Sequence, residues 1–275
     1  MNVRDVMSTD LVTVDKDRNL KDVLALMAER KITKIPVTED GDLVGIVTDG
    51  KIADKLGQYH NKGLQTARLH ASSVMEKDFV VAHPDEDLSS LLADVGKPGL
   101  TMIPVVQGKR LVGVVTKADL LRLVQSGAKL ASLMKTELKS VAPGERLVHA
   151  RRLLLDNDIA RLPVLENGKV AGILSEHEIA NAFAAFKGAD AHVQKANVRD
   201  LEVGPYMRRR VVTAKGTMTA KEAAQRMMDE EVGALPVVDS RGVVEGIVTR
   251  TDLIRTFSME AVAAPPRSKG KPKGK

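Results

Sequence analysis

The stretch that decides the fold is GIVTDGKIADKL, residues 45–56. Its first half is apolar and β-branched, and its second half has helical periodicity, so it reads as a strand running into a helix. The phrase returns as GVVTKADLLRLV (113–124), GILSEHEIANAF (172–183) and GIVTRTDLIRTF (246–257). Three copies carry an acid three residues after the Thr or Ser: Asp119, Glu178 and Asp252. The first copy carries Lys51 there.

A second phrase repeats in step with the first: KIPV (34–37), MIPV (102–105), RLPV (161–164) and ALPV (234–237). The two sets of intervals agree to within one residue. That residue falls in DSRG (239–242), a turn, where insertions are tolerated. Each unit therefore reads alike. A short strand such as DLVTV (10–14) precedes a helix marked by Leu20, Val23, Leu24 and Met27. Asn19, Asp87 and Thr219 stand at the matching helix starts as N-caps. The PV strand follows, then a hairpin turn such as EDGD or ENGK, the GIVT strand and a second helix. The expected architecture is α/β (α+β): four β-α-β-β-α units over 7–57, 75–126, 134–187 and 207–259. The stretches 57–72 and 187–204 read as polar connectors.

Bulk composition sets the outer bounds. The 275 residues suffice for about two ordinary domains. Hydrophobic content of 43% and charged content of 28% are those of a soluble globular chain. No apolar run reaches the roughly 18–20 residues of a membrane span, and the N-terminus lacks a signal core. A cytoplasmic location is the expectation. With no Cys, disulfides, thiolate metal sites and a Cys nucleophile are excluded together. The six His show no metal-ligand spacing, and no P-loop, GxSxG or Ser-His-Asp order occurs, so no metal and no catalysis are expected. The net charge of +6 comes mostly from five bases and no acid in AVAAPPRSKGKPKGK (261–275), which reads as a disordered tail. Two Tyr, four Phe and no Trp make a base-stacking platform a poor reading.

The repeated unit, the PV strand and the GhhTxxD junction resemble those of CBS domains. The resemblance covers nearly everything except the tail and connectors. It implies two pseudo-symmetric pairs (Bateman modules), units one with two and three with four. Stand-alone archaeal and bacterial four-CBS proteins and the gamma subunit of the AMP-activated protein kinase are similar. Two pairs could close a disc within one chain, or two chains could stack.

Two readings compete for the junction residues. Thr116/Asp119, Ser175/Glu178 and Thr249/Asp252 fit a capping box, in which hydroxyl and carboxylate satisfy free helix-end N–H groups. The same atoms suit a ligand: a helix N-terminus favours an anion, and an ionised carboxylate can accept from both hydroxyls of a ribose. The resemblance implies the second. It places the ribose on the Asp, phosphate or ribose near the Thr or Ser, and a purine between the first strand and the PV strand. The matching first-strand positions are Thr13, Val81, Ser140 and Thr213. Units two and four keep the full pattern, while Glu178 has a longer arm. Thr48/Lys51 departs, because lysine has no acceptor. Lys51 then marks either a disused first site or a phosphate contact to a ligand held around Asp119. Lys117, Arg250, His177, Lys34 and Arg161 are further bases able either to neutralise phosphate or to lie solvated at the surface. Met27, Met227 and Met228, at helical spacing, are expected in the core.

The expected function is a non-catalytic regulatory, allosteric sensor of AMP, ADP, ATP or S-adenosylmethionine, with no required cofactor. Its expected partners are the adenosyl molecule and a second copy or another protein that reads the ligand state. A rival is nucleic-acid or ribosome association through the 261–275 tail, whose charges would contact phosphates. Another is a ligand-free scaffold in which the acids only cap helices.

Overall fold

The computed structural model describes residues 1–58, 69–95, 102–188 and 198–263. The four units follow one plan. In unit one, β1 (Val14–Asp15) leads to α1 (Leu20–Glu29), the hairpin β2 (Lys34–Glu39) and β3 (Asp42–Thr48), and α2 (Asp49–Gln58). Unit two has α3 (Leu88–Val95), β4 (Met102–Gln107), β5 (Arg110–Thr116) and α4 (Lys117–Leu121). Between units two and three lies α5 (Leu130–Leu133). Unit three has α6 (Leu147–Asp156), β6 (Arg161–Glu166), β7 (Lys169–Ser175) and α7 (Glu176–Gly188). Unit four has α8 (Ala220–Asp229), β8 (Ala234–Val238), β9 (Val244–Thr249) and α9 (Arg250–Ala263).

Local sequence explains these elements. Asn19 accepts a hydrogen bond from Asp22 N, Thr219 forms a reciprocal capping box with Glu222, and Asp87 accepts from Ser89 N. Asp40–Gly41 and Asn167–Gly168 both take positive φ, the conformation a two-residue hairpin needs. The expected first strand is shorter than 10–14. Only Val14 and Asp15 pair with Val37 and Thr38, and in the other units a single parallel bridge remains: Ala82 to Val105, Val141 to Val164 and Ala214 to Val237. The PV proline explains this edge. It has no N–H to offer, and its carbonyl instead accepts from Ala82, Val141 or Ala214 N. The tail also begins later than expected, since α9 carries residues 261–263. The rest of the tail lies outside the described residues.

The units are joined by exchanged leaders. The turn Val3–Asp5 packs on unit two, with Val3 N donating to Glu86 O and Ser8 pairing with Val114. The turn Ala71–Ser73 packs back on unit one, and Glu76 pairs with Ile46. Units three and four repeat the exchange: Lys135 pairs with Ile247, and Arg208 with Ile173. The ends of the expected connectors, residues 69–72 and 198–204, therefore belong to these leaders. The leader turns Val3–Asp5, Ala71–Ser73 and Val198–Asp200 lie ahead of the expected unit starts at 7, 75 and 207.

A methionine closes each exchange. The sulfurs of Met7, Met75, Met134 and Met207 lie against Gly113, Gly45, Gly246 and Gly172, where an added Cβ would come within 2.6–2.7 Å of them. That repeated glycine leaves room for the partner's leader.

Hairpin ends join units one and two through Asp42 and Arg110, giving a sheet of order β1-β2-β3-β5-β4. Lys169 and Val243 join three to four in the same way. The cores run across these pairs. One buries Leu24, Ile52 and Leu56 of unit one with Leu154, Ile179 and Phe183 of unit three. The other joins Leu120, Leu121 and Val124 to Met227, Leu253 and Ile254. Helix α2 packs on α7, and α4 on α9. Each unit thus has one neighbour through strands and leaders and another through helices. The ring of four closes within one chain. Met27 and Met227 are fully buried, and Met228 packs on the second core.

Candidate ligand site

Each junction places its Thr or Ser at a strand end and its third helical residue just beyond. In unit two, Asp119 Oδ2 accepts from Thr116 N and Oγ1, both at 2.7 Å, and Asp119 N approaches Thr116 Oγ1 at 3.4 Å. Its Oδ1 accepts from Ser8 Oγ of the exchanged leader at 2.9 Å. In unit four, Asp252 Oδ2 accepts from Thr249 N at 2.8 Å and Oγ1 at 2.6 Å. In unit three, Glu178 Oε2 accepts from Ser175 N and Oγ, and Oε1 from Arg208 Nη2 at 3.4 Å. The capping geometry is therefore present at all three acids. It does not exclude a ligand: both aspartate caps use Oδ2, and at Asp119 the Oδ1 rests on Ser8 Oγ, which a ribose hydroxyl could replace.

Unit one is built differently. Thr48 Oγ1 accepts from Lys51 N at 3.1 Å, so the hydroxyl still caps the helix. Lys51 Nζ lies 3.4 Å from Glu76 Oε1 of the exchanged leader. The base in the repeat has a local counter-ion, and both side chains are about half exposed. Leader and third helical residue thus meet in three units: Lys51 with Glu76, Asp119 with Ser8, and Glu178 with Arg208.

The first-strand positions keep a common place. Thr13, Val81, Ser140 and Thr213 each immediately precede the residue that bridges to the PV valine. Ser140 and Thr213 are partly buried, whereas Thr13 and Val81 are exposed.

Four of the five bases singled out in the sequence meet near the ring centre, one from each unit. Lys117 is only 8% exposed, and its Nζ donates to Thr251 Oγ1 across the α4–α9 contact at 2.7 Å. Burial pushes its ammonium down to about 8, and the neighbouring charges of Lys34 and Arg161 add to this. Arg250 is pushed down to about 10, again by burial first and then by Arg161. Its Nη2 donates to Val232 O at 3.2 Å, while its Nε is buried and has no partner among the described residues. The Arg161 guanidinium lies against Gly233, the next residue, where a Cβ would be 2.8 Å from Cζ. Lys34 is likewise lowered by burial, opposed by Asp49, Glu176 and Glu76.

His177 sits apart. Its Nε2 is 2.9 Å from Asn181 Nδ2, its Nδ1 is buried without a partner, and burial lowers its pKa. Cations pressed together and stripped of water favour an anion among them.

The sequence reading missed two residues of this centre, Asp49 and Glu176. A signal was present: the residue just after each junction Thr or Ser runs Asp49, Lys117, Glu176, Arg250. Among the described residues no group of three or more His, Cys, Asp or Glu could hold a metal, and no helix is long and apolar enough to cross a membrane.

Comparison with known proteins settles the family. The CBS domain model matches residues 3–57, 71–126, 130–185 and 198–258. The chain belongs to the CBS domain family. It is 26% identical over 271 residues to the uncharacterized protein MJ1225 of Methanocaldococcus jannaschii, covering 90% of this chain and 95% of the relative. The crystal structure of MJ1225, proposed there as an archaeal homolog of g-AMPK, superposes with a TM-score of 0.81 at 24% identity. That match covers 94% of this chain and all of the other. A conserved protein of unknown role from Pyrococcus horikoshii matches the same share of this chain and all of its own, with a TM-score of 0.59 and 22% identity. The CBS domain-containing protein YhcV of Bacillus subtilis is 33% identical over 122 residues, 43% of this chain and 82% of YhcV. These likenesses fix the fold. In none of them does the match itself name a ligand.

Proposed function

We propose that this CBS protein is a non-catalytic sensor of a phosphorylated adenosyl ligand. The observation that carries the reading is the group of buried and half-buried cations at the ring centre, with Arg250 Nε lacking a partner among the described residues and Lys117 depressed to about 8. The ribose would lie on Asp119 or Asp252, and the adenine against the first-strand positions. The phosphate would point inward to Lys117, Arg250, Lys34 and Arg161. Thr116 and Thr249 would turn their hydroxyls from the carboxylate to the ligand. AMP, ADP and ATP suit this centre better than S-adenosylmethionine, whose sulfonium would add positive charge to it. Because each unit contacts one neighbour through leaders and another through a core, a ligand held at the centre touches both kinds of contact. A partner or second copy could read the resulting shift between half rings, provided the ligand binds two arrangements unequally.

Isothermal titration of the full chain with AMP, ATP and S-adenosylmethionine tests this reading. AMP or ATP should bind. Asp252→Asn should weaken that binding roughly 10- to 100-fold, as expected for one charge-assisted hydrogen bond, with little change in melting temperature. Silence from all three at millimolar concentration contradicts the reading. An unchanged affinity in both Asp119→Asn and Asp252→Asn would leave these acids as caps alone.

A further inference from the structure

The first helical residue changes sign around the ring, and packing sorts the signs. Because α2 packs on α7, the acids Asp49 and Glu176 come together. Because α4 packs on α9, the bases Lys117 and Arg250 come together. The Glu176 carboxylate lies on the backbone of Gly50, where an added Cβ would be 2.6 Å from Oε1. Asp49 Oδ1 accepts from Gly50 N at 2.8 Å. Two carboxylates thus bracket a single residue at the start of α2. Asp49 is 5% exposed.

Several charged groups face this pair. Lys34 comes from β2 and Arg161 from β6, with Arg151 on α6 and Asp158 just after it facing Glu176. Glu76 in turn faces Lys34. Burial, then Glu176, pushes the Asp49 carboxyl up to about 7, against the pull of Arg161 and Lys34. Burial pushes Glu176 up as well. The fixed charges around the centre are mixed: Arg255 and Asp252 also face Lys117, and Asp119 faces Arg250. Each phosphoryl group added to a ligand brings more negative charge toward the Asp49–Glu176 pair, and protonating one of these carboxylates relieves that repulsion.

We propose that Asp49 and Glu176 set how much negative charge a ligand can bring to the ring centre, so that a polyphosphate chain enters only with uptake of a proton on this carboxylate pair. The inference rests on the reading of the centre as a phosphate site. Its consequence is selectivity. Asp49, raised to about 7, is ionised above that pH in the free protein and repels the extra phosphoryl groups. A single phosphate, seated toward Lys117 and Arg250, is far less affected. The last phosphate proton of the nucleotide leaves near pH 6, so its titration contributes little above pH 7; inorganic tripolyphosphate, already highly charged, holds its last proton longer and serves as a probe of affinity only.

The test is calorimetric titration of the full chain with AMP, ATP and sodium tripolyphosphate at pH 7.5 and 8.5, in two buffers of different ionisation enthalpy. ATP should bind with uptake of up to one proton more than AMP and weaken by up to about tenfold more across that interval, as linkage requires. AMP reports the share of Lys117, which burial holds at about 8 and which titrates in the same interval. Asp49→Asn, and separately Glu176→Gln, should tighten ATP at pH 8.5 at least tenfold and remove its excess proton uptake over AMP. If ATP takes up no more protons than AMP, or Asp49→Asn leaves its ATP affinity within twofold, the inference is overturned while the adenosyl reading stands. If tripolyphosphate alone binds and shows the Asp49→Asn effect, the inference stands and the adenosyl reading falls. If no probe binds, both fall.

Discussion

Units one and three form a half ring that differs from the half formed by units two and four, although all four units share one fold. The first half presents Asp49 and Glu176 at the start of its facing helices and Lys34 and Arg161 at the start of its PV strands. The second half presents Lys117 and Arg250 at the helix starts and the apolar Met102 and Ala234 on the strands. Position within the repeat has been exchanged, yet every unit still delivers one cation to the centre. The cost also differs between halves. In the first half the cations have carboxylate partners in the chain, and Glu176 lies favourably at the N-terminal end of α2. In the second half Lys117 and Arg250 are depressed by burial and by their cationic neighbours. A repeated fold thus yields one half with acids at its facing helix starts and one with bases there.

The largest test of this difference removes the second half's charge. Lys117→Ala combined with Arg250→Ala should weaken AMP by about 100-fold or more, since two charge-assisted bonds are lost, as read by titration calorimetry. Next comes the first half's pH dependence without ligand. Asp49 is raised from 3.8 to about 7, so the folded chain keeps a proton that the unfolded chain has released. Stability contributed by this group therefore falls as pH rises from about 4 to about 7, and the loss is complete above that. Asp49→Asn should be more stable than the parent at pH 8 by roughly 2–4 kcal/mol and similar to it below about pH 4, measured by denaturant melts. A smaller effect probes the leaders that hold the halves together. Gly246→Ala places a methyl 2.7 Å from Met134 Sδ and 2.9 Å from Lys135 O, and should cost about 1–3 kcal/mol.

The smallest effect concerns the odd unit. The exposed Lys51–Glu76 pair should contribute less than about 1 kcal/mol, so Lys51→Asp with Glu76→Ser should fold normally. That double change copies the Asp119–Ser8 pair. It should raise the AMP stoichiometry by about one site, whereas an unchanged stoichiometry would mean the unit lacks more than these two residues.

Much of the fold was legible because it is local. The turns Asp40–Gly41 and Asn167–Gly168, the caps Asn19, Asp87 and Thr219, and the phased PV and GhhT strands all act within one unit. The exchanged leaders were not legible. They depend on Met7 meeting Gly113 and on Met75 meeting Gly45, contacts that no local period announces. The site was half legible. Thr116, Asp119, Thr249 and Asp252 stand out at the junctions, and the bases nearby could be named. Their convergence could not be, because it requires knowing that α2 faces α7 and α4 faces α9. Asp49 and Glu176 were passed over for the same reason: a first-turn acid reads as an ordinary helix start until its neighbour proves to be another acid. Lys51 looked like a break in the repeat because Glu76, its partner, arrives from the next unit.

The central claim is that the buried and half-buried cations at the ring centre hold the phosphate of an adenosyl ligand. Parallel titrations of the full chain with AMP and with adenosine address it most directly. The account predicts that AMP binds at least 100-fold more tightly than adenosine and that the difference shrinks in Lys117→Ala/Arg250→Ala. Equal affinities for the two, or an AMP preference untouched by that double substitution, would contradict it.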